Sequence, residues 1–248
     1  MNALVAYSID ENNFILSPER VLYWEDRKTL IIADLHAGKT GHFRKSGIAV
    51  PQKVFREDLQ RLLTQVLFFK AEELIIVGDF SHSKSNQELD LFVRWRHDHS
   101  SLKISLVKGN HDILQDIWYE EAQIEISNWE LGIGNFLFRH DLVKKAAGSK
   151  KLAMASRHPD SNREAIDNKL NTLDNTQTEN RYIFSGHIHP GISIRGLAKQ
   201  SLHFPCFYFT DNYCVLPAFS RFTGTHSVHP QKGENVFAIV ENQILQVQ

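Results

Sequence analysis

Acidic and histidine side chains in this chain follow short apolar runs, where several of them could bind a metal ion together. Asp34 and His36 come directly after the run TLIIA. In an extended segment, residues two apart point the same way, so both side chains can enter one pocket. A single Asp-x-His pair arises easily by chance. The prediction therefore depends on whether similar groups follow later in the chain.

Further polar groups do follow later apolar runs. They are Asp79 after ELIIVG, Asn110, His111 and Asp112 in GNHD, His140 after FLFR, and His187 and His189 in GHIH. Two neighbouring divalent ions need imidazole and oxygen ligands, one of them a carboxylate that can bridge the ions. Glycines beside several of these residues permit tight turns or close backbone approach. The series therefore predicts a two-metal centre.

The segments that carry these groups alternate between strand and helix patterns. Residues 50–70 place apolar side chains at helical spacing after a proline, and residues 86–98 predict a second helix. Between and after them, ELIIVGDF and LKISLVKGNHD are typical of buried strands. This alternation is the βαβ pattern of an α/β fold, in which ligands collect at the carboxyl ends of the strands.

The second half of the chain predicts mostly short strands. The stretch IEISNWELGIGNFLFRHD is expected to form hairpin-like strands with NWELG as a turn-rich link. A polar insertion at about 141–180 has few large apolar residues and is expected to be a long loop or partly helical. Short strands return after it. We expect one domain over 1–248.

Composition excludes several classes of protein. The chain has 248 residues, a net charge of -1, 42% hydrophobic residues, and no run approaching the ~20 apolar residues of a membrane span. We expect no membrane partner and no global attraction to nucleic acid, so any basic surface must be local. The first residues lack a secretory signal, which predicts a cytoplasmic protein. Cys206 and Cys214 are expected to be buried thiols rather than a disulfide.

The ordered motifs resemble a known family. The series D-x-H, G-D, G-N-H-D, H and G-H-x-H over residues 34–189 is similar to the signature of calcineurin-like metallophosphoesterases. A narrower resemblance, to the bacterial ligase-associated DNA damage response endonucleases, is carried by the segments DLHAGKTGHFRKSGIAVP, GDFSHS, GHIHPG and LPAFSRFTG. The resemblance implies a four-layer αββα sandwich, phosphoesterase activity, a phosphodiester substrate such as DNA, and association with a DNA ligase system.

The resemblance also implies a role for each motif residue. One ion would be bound by Asp34, His36, Asp79 and His189. The second ion would be bound by Asp79, Asn110, His140 and His187, so Asp79 would bridge the two ions. The ions would be divalent transition metals, most simply Mn, with Fe or Zn as alternatives. A water or hydroxide shared by the ions would be the nucleophile, because metal binding lowers the pKa of water from about 15.7 to about 7.

Other residues are candidates for accompanying roles. His111 would protonate the leaving oxygen or stabilise charge at phosphorus, with Asp112 orienting it. His158 is an alternative to His140, which is favoured because it ends an apolar run. The segment with Lys39, His42 and Arg44 could bind substrate phosphates or be an ordinary solvated loop.

Three histidines outside the motif series have competing interpretations. His82 could orient a ligand or have no such role. His226 and His229 fit a structured loop better than a ligand pair.

Three functions remain open at this point. The first is a hydrolase that cleaves phosphodiesters in nucleic acid or nucleotides. The second is a phosphomonoesterase that acts on a nucleotide or phosphoprotein, and the third is a non-catalytic interaction module. Because degenerate modules should have lost ligands and this chain has a residue for each ligand position, we expect an enzyme. The sequence does not predict an oligomeric state.

Overall fold

The structure is a computed structural model that describes residues 4–39, 53–82, 87–142, 181–196 and 201–248. Its first sheet has seven strands in chain order: β1 Val5–Ile9, β2 Asn12–Ser17, β3 Val21–Trp24, β4 Thr29–Ala33, β5 Glu73–Val77, β6 Lys103–Val107 and β7 Ile124–Ser127. Strands β1 to β4 pair antiparallel, and β4 to β7 pair parallel. The parallel half carries the first motifs at its carboxyl end.

Helices lie between the parallel strands, as the sequence predicts. They are α1 Lys53–Phe69, α2 Gln87–Asp98 and the short α3 Asp116–Glu121. The apolar faces of α1 and α2 pack on one side of the first sheet, where Leu59 and Phe92 are buried together with Leu30 and Ile32 of β4. This arrangement confirms the predicted strand and helix alternation.

The second sheet contains nine strands in the described ranges of the chain. They are β8 Glu130–Ile133, β9 Phe136–Arg139, β10 Tyr182–Ser185, β11 Pro190–Arg195, β12 Ser201–Phe209, β13 Tyr213–Val215, β14 His226–Ser227, β15 Asn235–Val240 and β16 Gln243–Gln246. Its main path runs β14-β11-β12-β13-β10-β9-β8, and β15 joins β12 and β16. Strands β9, β10 and β13 are parallel, so β9 and β10 present their carboxyl ends at one edge.

The two sheets pack against each other through a shared core. Ile31 and Ala33 of β4 alternate with the helix-facing residues and are buried with Phe138, Phe184 and other aromatic side chains of the second sheet. Burial on both faces explains why β4 is apolar from Leu30 to Ala33. The predicted α/β fold with two sheets is confirmed. The described residues form three layers: the helices, the first sheet and the second sheet. The fourth layer of the expected αββα sandwich, a helical layer outside the second sheet, does not occur in the described residues.

Two local predictions differ from the structure. Residues 124–127 form β7, a parallel strand of the first sheet, rather than part of a hairpin. Most of NWELG is not a link, because Glu130 to Gly132 lie in β8, which forms a hairpin with β9. The first error arises because a short strand does not show which sheet it will join.

The remaining structural expectations have mixed outcomes. Cys206 and Cys214 are buried free thiols as predicted, and burial raises the pKa of both. Most of the predicted insertion, residues 143–180, lies outside the described residues. None of the helices that the structure describes is long and apolar enough to cross a membrane.

Candidate active site

The carboxyl ends of strands from both sheets meet and bring most of the predicted motif residues together. Asp34 and His36 follow β4, Asp79 follows β5, and Asn110 to Asp112 follow β6. From the second sheet, His140 follows β9, and His187 and His189 follow β10. The Ser185 hydroxyl donates to the His140 carbonyl at 3.0 Å, which fixes the ends of β9 and β10 side by side.

The backbone at these residues is turned rather than extended. The φ angles are +56° at Asp34, +55° at His36, +44° at Asp79, +68° at His187 and +52° at His189. Each such residue costs about 1–3 kcal/mol and persists only where the surrounding structure fixes it. The expectation that both Asp-x-His and His-x-His lie in extended segments was therefore wrong. Left-handed turns place the side chains in the same pocket.

Hydrogen bonds between the strand ends hold these turns in place. The Asp34 nitrogen donates to the Gly78 carbonyl at 3.2 Å, and the His36 nitrogen donates to the Asp79 carbonyl at 2.9 Å. The His187 nitrogen donates to Asp34 Oδ2 at 3.0 Å. The strained residues from different parts of the chain thus support one another and fix the shape of the pocket.

The first potential metal-binding group consists of Asp34, His36 and His189. The Nε2 atoms of His36 and His189 are 3.3 Å apart, and His189 Nε2 is 3.5 Å from Asp34 Oδ1. Burial alone would raise the pKa of the Asp34 carboxyl, but the histidines around it hold that pKa below its ordinary value. Burial lowers the pKa of His36 to about 2, so its imidazole is neutral and keeps a lone pair for a metal.

The second group consists of Asp79, His140 and His187, with Asn110 beside them. His140 Nε2 lies 3.0 Å from His187 Nδ1, 3.4 Å from Asp79 Oδ1 and 3.1 Å from Asn110 Oδ1. The two groups adjoin, because His140 Nδ1 is 3.8 Å from Asp34 Oδ1. His140 is therefore part of the cluster, whereas its alternative His158 lies outside the described residues.

These distances fit metal ions. A metal–nitrogen bond of about 2.1 Å places neighbouring ligand atoms about 3.0 Å apart in octahedral and about 3.4 Å apart in tetrahedral geometry. The pairs above are separated by 3.0–3.5 Å. The buried Asp34 Oδ1 also has no hydrogen-bond partner among the described residues. A mixture of imidazole nitrogen and carboxylate oxygen suits divalent transition metals rather than Ca²⁺.

Two glycines are required by close approach to the ligands. A Cβ on Gly109 would overlap the carboxylate and backbone nitrogen of Asp79, and a Cβ on Gly78 would overlap the His140 ring. Gly78 also has a φ of +78°. The glycines that precede motif residues in the sequence therefore leave room for ligands that come from other strands.

Replacing Gly109 by Ala should weaken Mn²⁺ binding about 10- to 100-fold, because Asp79 must move away from the new methyl group. The overlap should also lower the free energy of unfolding by about 1–3 kcal/mol. Isothermal titration with Mn²⁺ and thermal unfolding measure the two effects. Gly224→Ala is the matched control, since its Cβ would meet nothing within 4 Å. Equal Mn²⁺ affinity in the two variants would contradict the predicted displacement.

His111 lies at the opening of the cluster. Its side chain is 43% exposed, and its Nε2 is 4.0 Å from Asp79 Oδ2. Its ring centroid lies 4.2 Å from that of His82, and its backbone nitrogen donates to Asp79 Oδ1 at 3.0 Å. A partly exposed imidazole beside the ligand groups can reach a bound substrate. His82 packs against this ring, so it is placed to position His111.

Asp112 contacts the loop backbone instead of the His111 ring. Its Oδ1 accepts from the Ser81 nitrogen at 2.7 Å, and its Oδ2 accepts from the nitrogens of Gly109 at 2.9 Å and Phe80 at 3.2 Å. Burial raises the pKa of Asp112 to about 6. The carboxylate therefore joins the loop after β5 to the loop after β6. Its contacts indicate that it positions Asp79 and Asn110, which differs from the predicted role of orienting His111.

One of the three predicted substrate-binding residues can be placed. Lys39 is half-buried and its Nζ donates to Thr223 Oγ1 at 3.0 Å. Burial lowers the pKa of Lys39, and the negative charges of Asp34 and Asp79 act in the opposite direction. Its charge is therefore felt at the ligand cluster. His42 and Arg44 lie outside the described residues.

The loop at 216–223 supports the site, a role that the sequence did not predict. The Ser220 nitrogen donates to the Asp34 carbonyl at 3.3 Å. The guanidinium of Arg20 donates to the Ser220 carbonyl at 3.0 Å, and Arg61 donates to the carbonyl of Phe219 and lies over its ring. The segment LPAFSRFTG contributed to the family resemblance, but its structural role was not predicted. Its contact with β4 joins residues about two hundred positions apart, and no local sequence pattern reveals a contact between such distant residues.

His226, which the sequence predicts to lie in a structured loop, contacts the first group. The His226 nitrogen donates to the His189 carbonyl at 2.9 Å. Burial lowers the pKa of His226, and His189 adds a smaller effect. His226 belongs to the short strand β14, which pairs with β11, so it is structured as expected.

Comparisons with known proteins agree with this geometry. The family model described as calcineurin-like phosphoesterase matches residues 27–191. No curated protein matches. Among solved structures, Pseudomonas putida nuclease MPE has a similar fold, with a TM-score of 0.73, 22% identity, and coverage of 99% of this chain and 100% of that chain.

A second solved structure, the Escherichia coli phosphoesterase Yfce, is less similar. It aligns with a TM-score of 0.41 and 13% identity, over 88% of this chain and 97% of that chain.

Proposed function

We propose that this chain, which belongs to the calcineurin-like phosphoesterase family, hydrolyses phosphodiester bonds in nucleic acid or nucleotides. The observation that carries the proposal is the pair of adjoining ligand groups with the partly exposed His111 at their opening. Two divalent ions bound there would supply an activated water and charge stabilisation for the phosphoryl oxygens. The resemblance to the ligase-associated DNA damage response endonucleases and the fold shared with a nuclease support nucleic acid as the substrate.

The chain's own residues would divide the remaining work. One ion would be held by Asp34, His36 and His189. The other would be held by Asp79, Asn110, His140 and His187, and Asp79 would also serve the first ion. His111 would donate a proton to the leaving oxygen or stabilise charge at phosphorus. Lys39 would contact a phosphate oxygen, since its charge reaches the cluster. The turned backbone keeps these side chains in place, so little reorganisation accompanies substrate binding.

Charge around the cluster favours a diester over a monoester. A dianionic monoester needs dense positive charge around its free oxygens, whereas a diester carries a single negative charge. Within the part of the chain that the structure describes, Lys39 is the cation that acts on Asp34 and Asp79, while Lys108 and Arg221 are engaged by Asp116 and Glu19. The phosphomonoesterase remains the second candidate because the same ligand groups could serve it.

The proposal predicts a higher kcat/KM for bis(p-nitrophenyl) phosphate than for p-nitrophenyl phosphate at saturating Mn²⁺. Both substrates release the same phenol, so their ratio reports the preference for a diester. A preparation of Asp79→Asn, purified in the same way, controls for contaminating phosphatases. A clearly higher value for the monoester would replace the diesterase by the phosphomonoesterase.

Several finer features belong to the same proposal. We keep Mn as the expected metal, one domain over 1–248, a cytoplasmic location and association with a DNA ligase system. The core shared by the two sheets supports one domain. If the natural substrate is a long nucleic-acid strand, activity should fall steeply with added salt, because contacts of Lys and Arg with phosphates release counterions.

A further inference from the structure

Three large apolar side chains are exposed beside the candidate active site. Ile113 is 54% exposed, Ile117 is 55% exposed and Trp129 is 75% exposed. Scattered apolar residues are normal on protein surfaces and need no explanation. These three, however, lie in the segments that follow β6 and β7 at the edge of the sheet where the ligand groups gather. We call these three residues the apolar platform.

Backbone and side-chain contacts attach the platform to the loop that carries His111. The Ile113 nitrogen donates to the His111 carbonyl at 2.9 Å. The Lys108 nitrogen donates to the Ser127 carbonyl at 2.8 Å, so the segment that leads to Trp129 starts against the end of β6. The Lys108 ammonium is 3.0 Å from Asp116 Oδ1, which fixes the start of α3 next to Ile117. Ile113 therefore lies in the loop that carries His111, and Lys108 joins the segments of Ile117 and Trp129 to the start of that loop.

The chemistry of a nucleotide fits this arrangement. A phosphodiester of nucleic acid carries a base on each adjoining sugar, so a base lies near any phosphate that reaches His111. Stacking of a base on an aromatic side chain contributes about 1–3 kcal/mol and tolerates any sequence. The ion pair between Lys108 and Asp116 also neutralises the charge beside the platform. An apolar surface next to a phosphate site thus matches a ligand with both an anionic and a flat apolar part.

We propose that Ile113, Ile117 and Trp129 bind a nucleobase of the substrate beside the scissile phosphodiester. The base must expose a face to stack on the platform, and bases within a duplex are already stacked on their neighbours. The proposal rests on the proposed phosphodiesterase function and adds the residues that contact the base. A protein partner is the competing occupant, and the experiments below distinguish it.

Binding can be measured without turnover. Metal-free protein is titrated with a labelled single-stranded oligonucleotide and with one of the same length that carries abasic sites. Trp129→Ala should weaken binding of the normal oligonucleotide about 5- to 100-fold and leave binding of the abasic one nearly unchanged. Phe68→Ala is the matched control, because Phe68 is 62% exposed near the end of α1 that leads to the opposite edge of the sheet.

Tryptophan fluorescence gives a second binding signal. Trp24 and Trp95 are buried, Trp118 packs against the helix-side core, and Trp129 is highly exposed. The normal oligonucleotide should quench the emission of the wild-type protein, and Trp129→Phe should remove most of that change. Equal quenching by normal and abasic oligonucleotides would overturn the nucleobase assignment.

Hydrolysis separates failure of the platform from failure of the proposed activity. With Mn²⁺, Trp129→Ala should lower kcat/KM more for the normal oligonucleotide than for the abasic one. Base-dependent binding without hydrolysis of any diester would retain the platform and reject the proposed activity. Hydrolysis without base dependence would reject the platform alone. If Trp129→Ala changes only self-association, measured by sedimentation velocity, the platform is a protein contact and the proposal is wrong.

Discussion

Replacing Asp79 by Asn should remove metal binding from both ligand groups together and lower kcat/KM for bis(p-nitrophenyl) phosphate by about 10²- to 10⁴-fold. A metal ion contributes several kcal/mol of charge stabilisation in the transition state, and each 1.4 kcal/mol corresponds to about tenfold in rate. A carboxylate shared by two cations is also the ligand whose charge both ions need most.

The structure makes this substitution a test of charge alone. The Asp79 carbonyl, which accepts from the His36 nitrogen at 2.9 Å, is unchanged in Asn. Asn has nearly the same volume, so it should still accept the hydrogen bond that Asp79 Oδ1 receives from the His111 nitrogen at 3.0 Å. Loss of metal would therefore follow from the missing negative charge and not from a collapsed pocket.

Elemental analysis of dialysed protein at saturating Mn²⁺ measures the number of ions per chain. Asp211→Asn, an exposed carboxylate in the turn after β12, is the control for a change in net charge. Two ions in Asp79→Asn would reject the bridge. Loss of only one ion would mean that Asp79 serves its near neighbours His140 and His187, with which it forms a group, and not the group of Asp34.

The parts of this site that could be predicted are those that local sequence determines. The four residues that follow Thr29 in β4 are all apolar, because Leu30 and Ile32 face helices while Ile31 and Ala33 face the second sheet. That pattern placed β4 in a covered parallel sheet, and the polar residues after it had to lie at the carboxyl edge. The order of the motifs then indicated which residues could share one metal centre.

The parts that could not be predicted depend on contacts between distant segments. Neither the turned backbone of Asp34 nor its support by Ser220 can be inferred from neighbouring residues. Asp112 was expected to act on the adjacent His111, yet its oxygens bind the backbone of Phe80 and Ser81 on another strand end. Proximity in sequence suggested the wrong partner, because the hydrogen-bond donors come from a neighbouring strand in the sheet.

Replacing His111 by Ala should retain the metals but lower turnover by about 10²- to 10⁴-fold, the usual contribution of a positioned proton donor. His111 belongs to neither ligand group, and its ring lies at the opening beside His82. Elemental analysis should therefore show the wild-type number of ions. His97→Ala, which removes an exposed imidazole on α2, is the control.

The leaving group decides which role His111 has. A proton donor matters most when the departing oxygen is strongly basic, so the loss in His111→Ala should grow across a series of aryl diesters as the pKa of the phenol rises. With p-nitrophenol, which needs little protonation, the loss should be smallest. A constant loss across the series would show that His111 stabilises charge at phosphorus, where the demand does not depend on the leaving oxygen. Loss of metal in the variant would instead show that the His111 side chain, whose Nε2 lies 4.0 Å from Asp79 Oδ2, supports the ligand group.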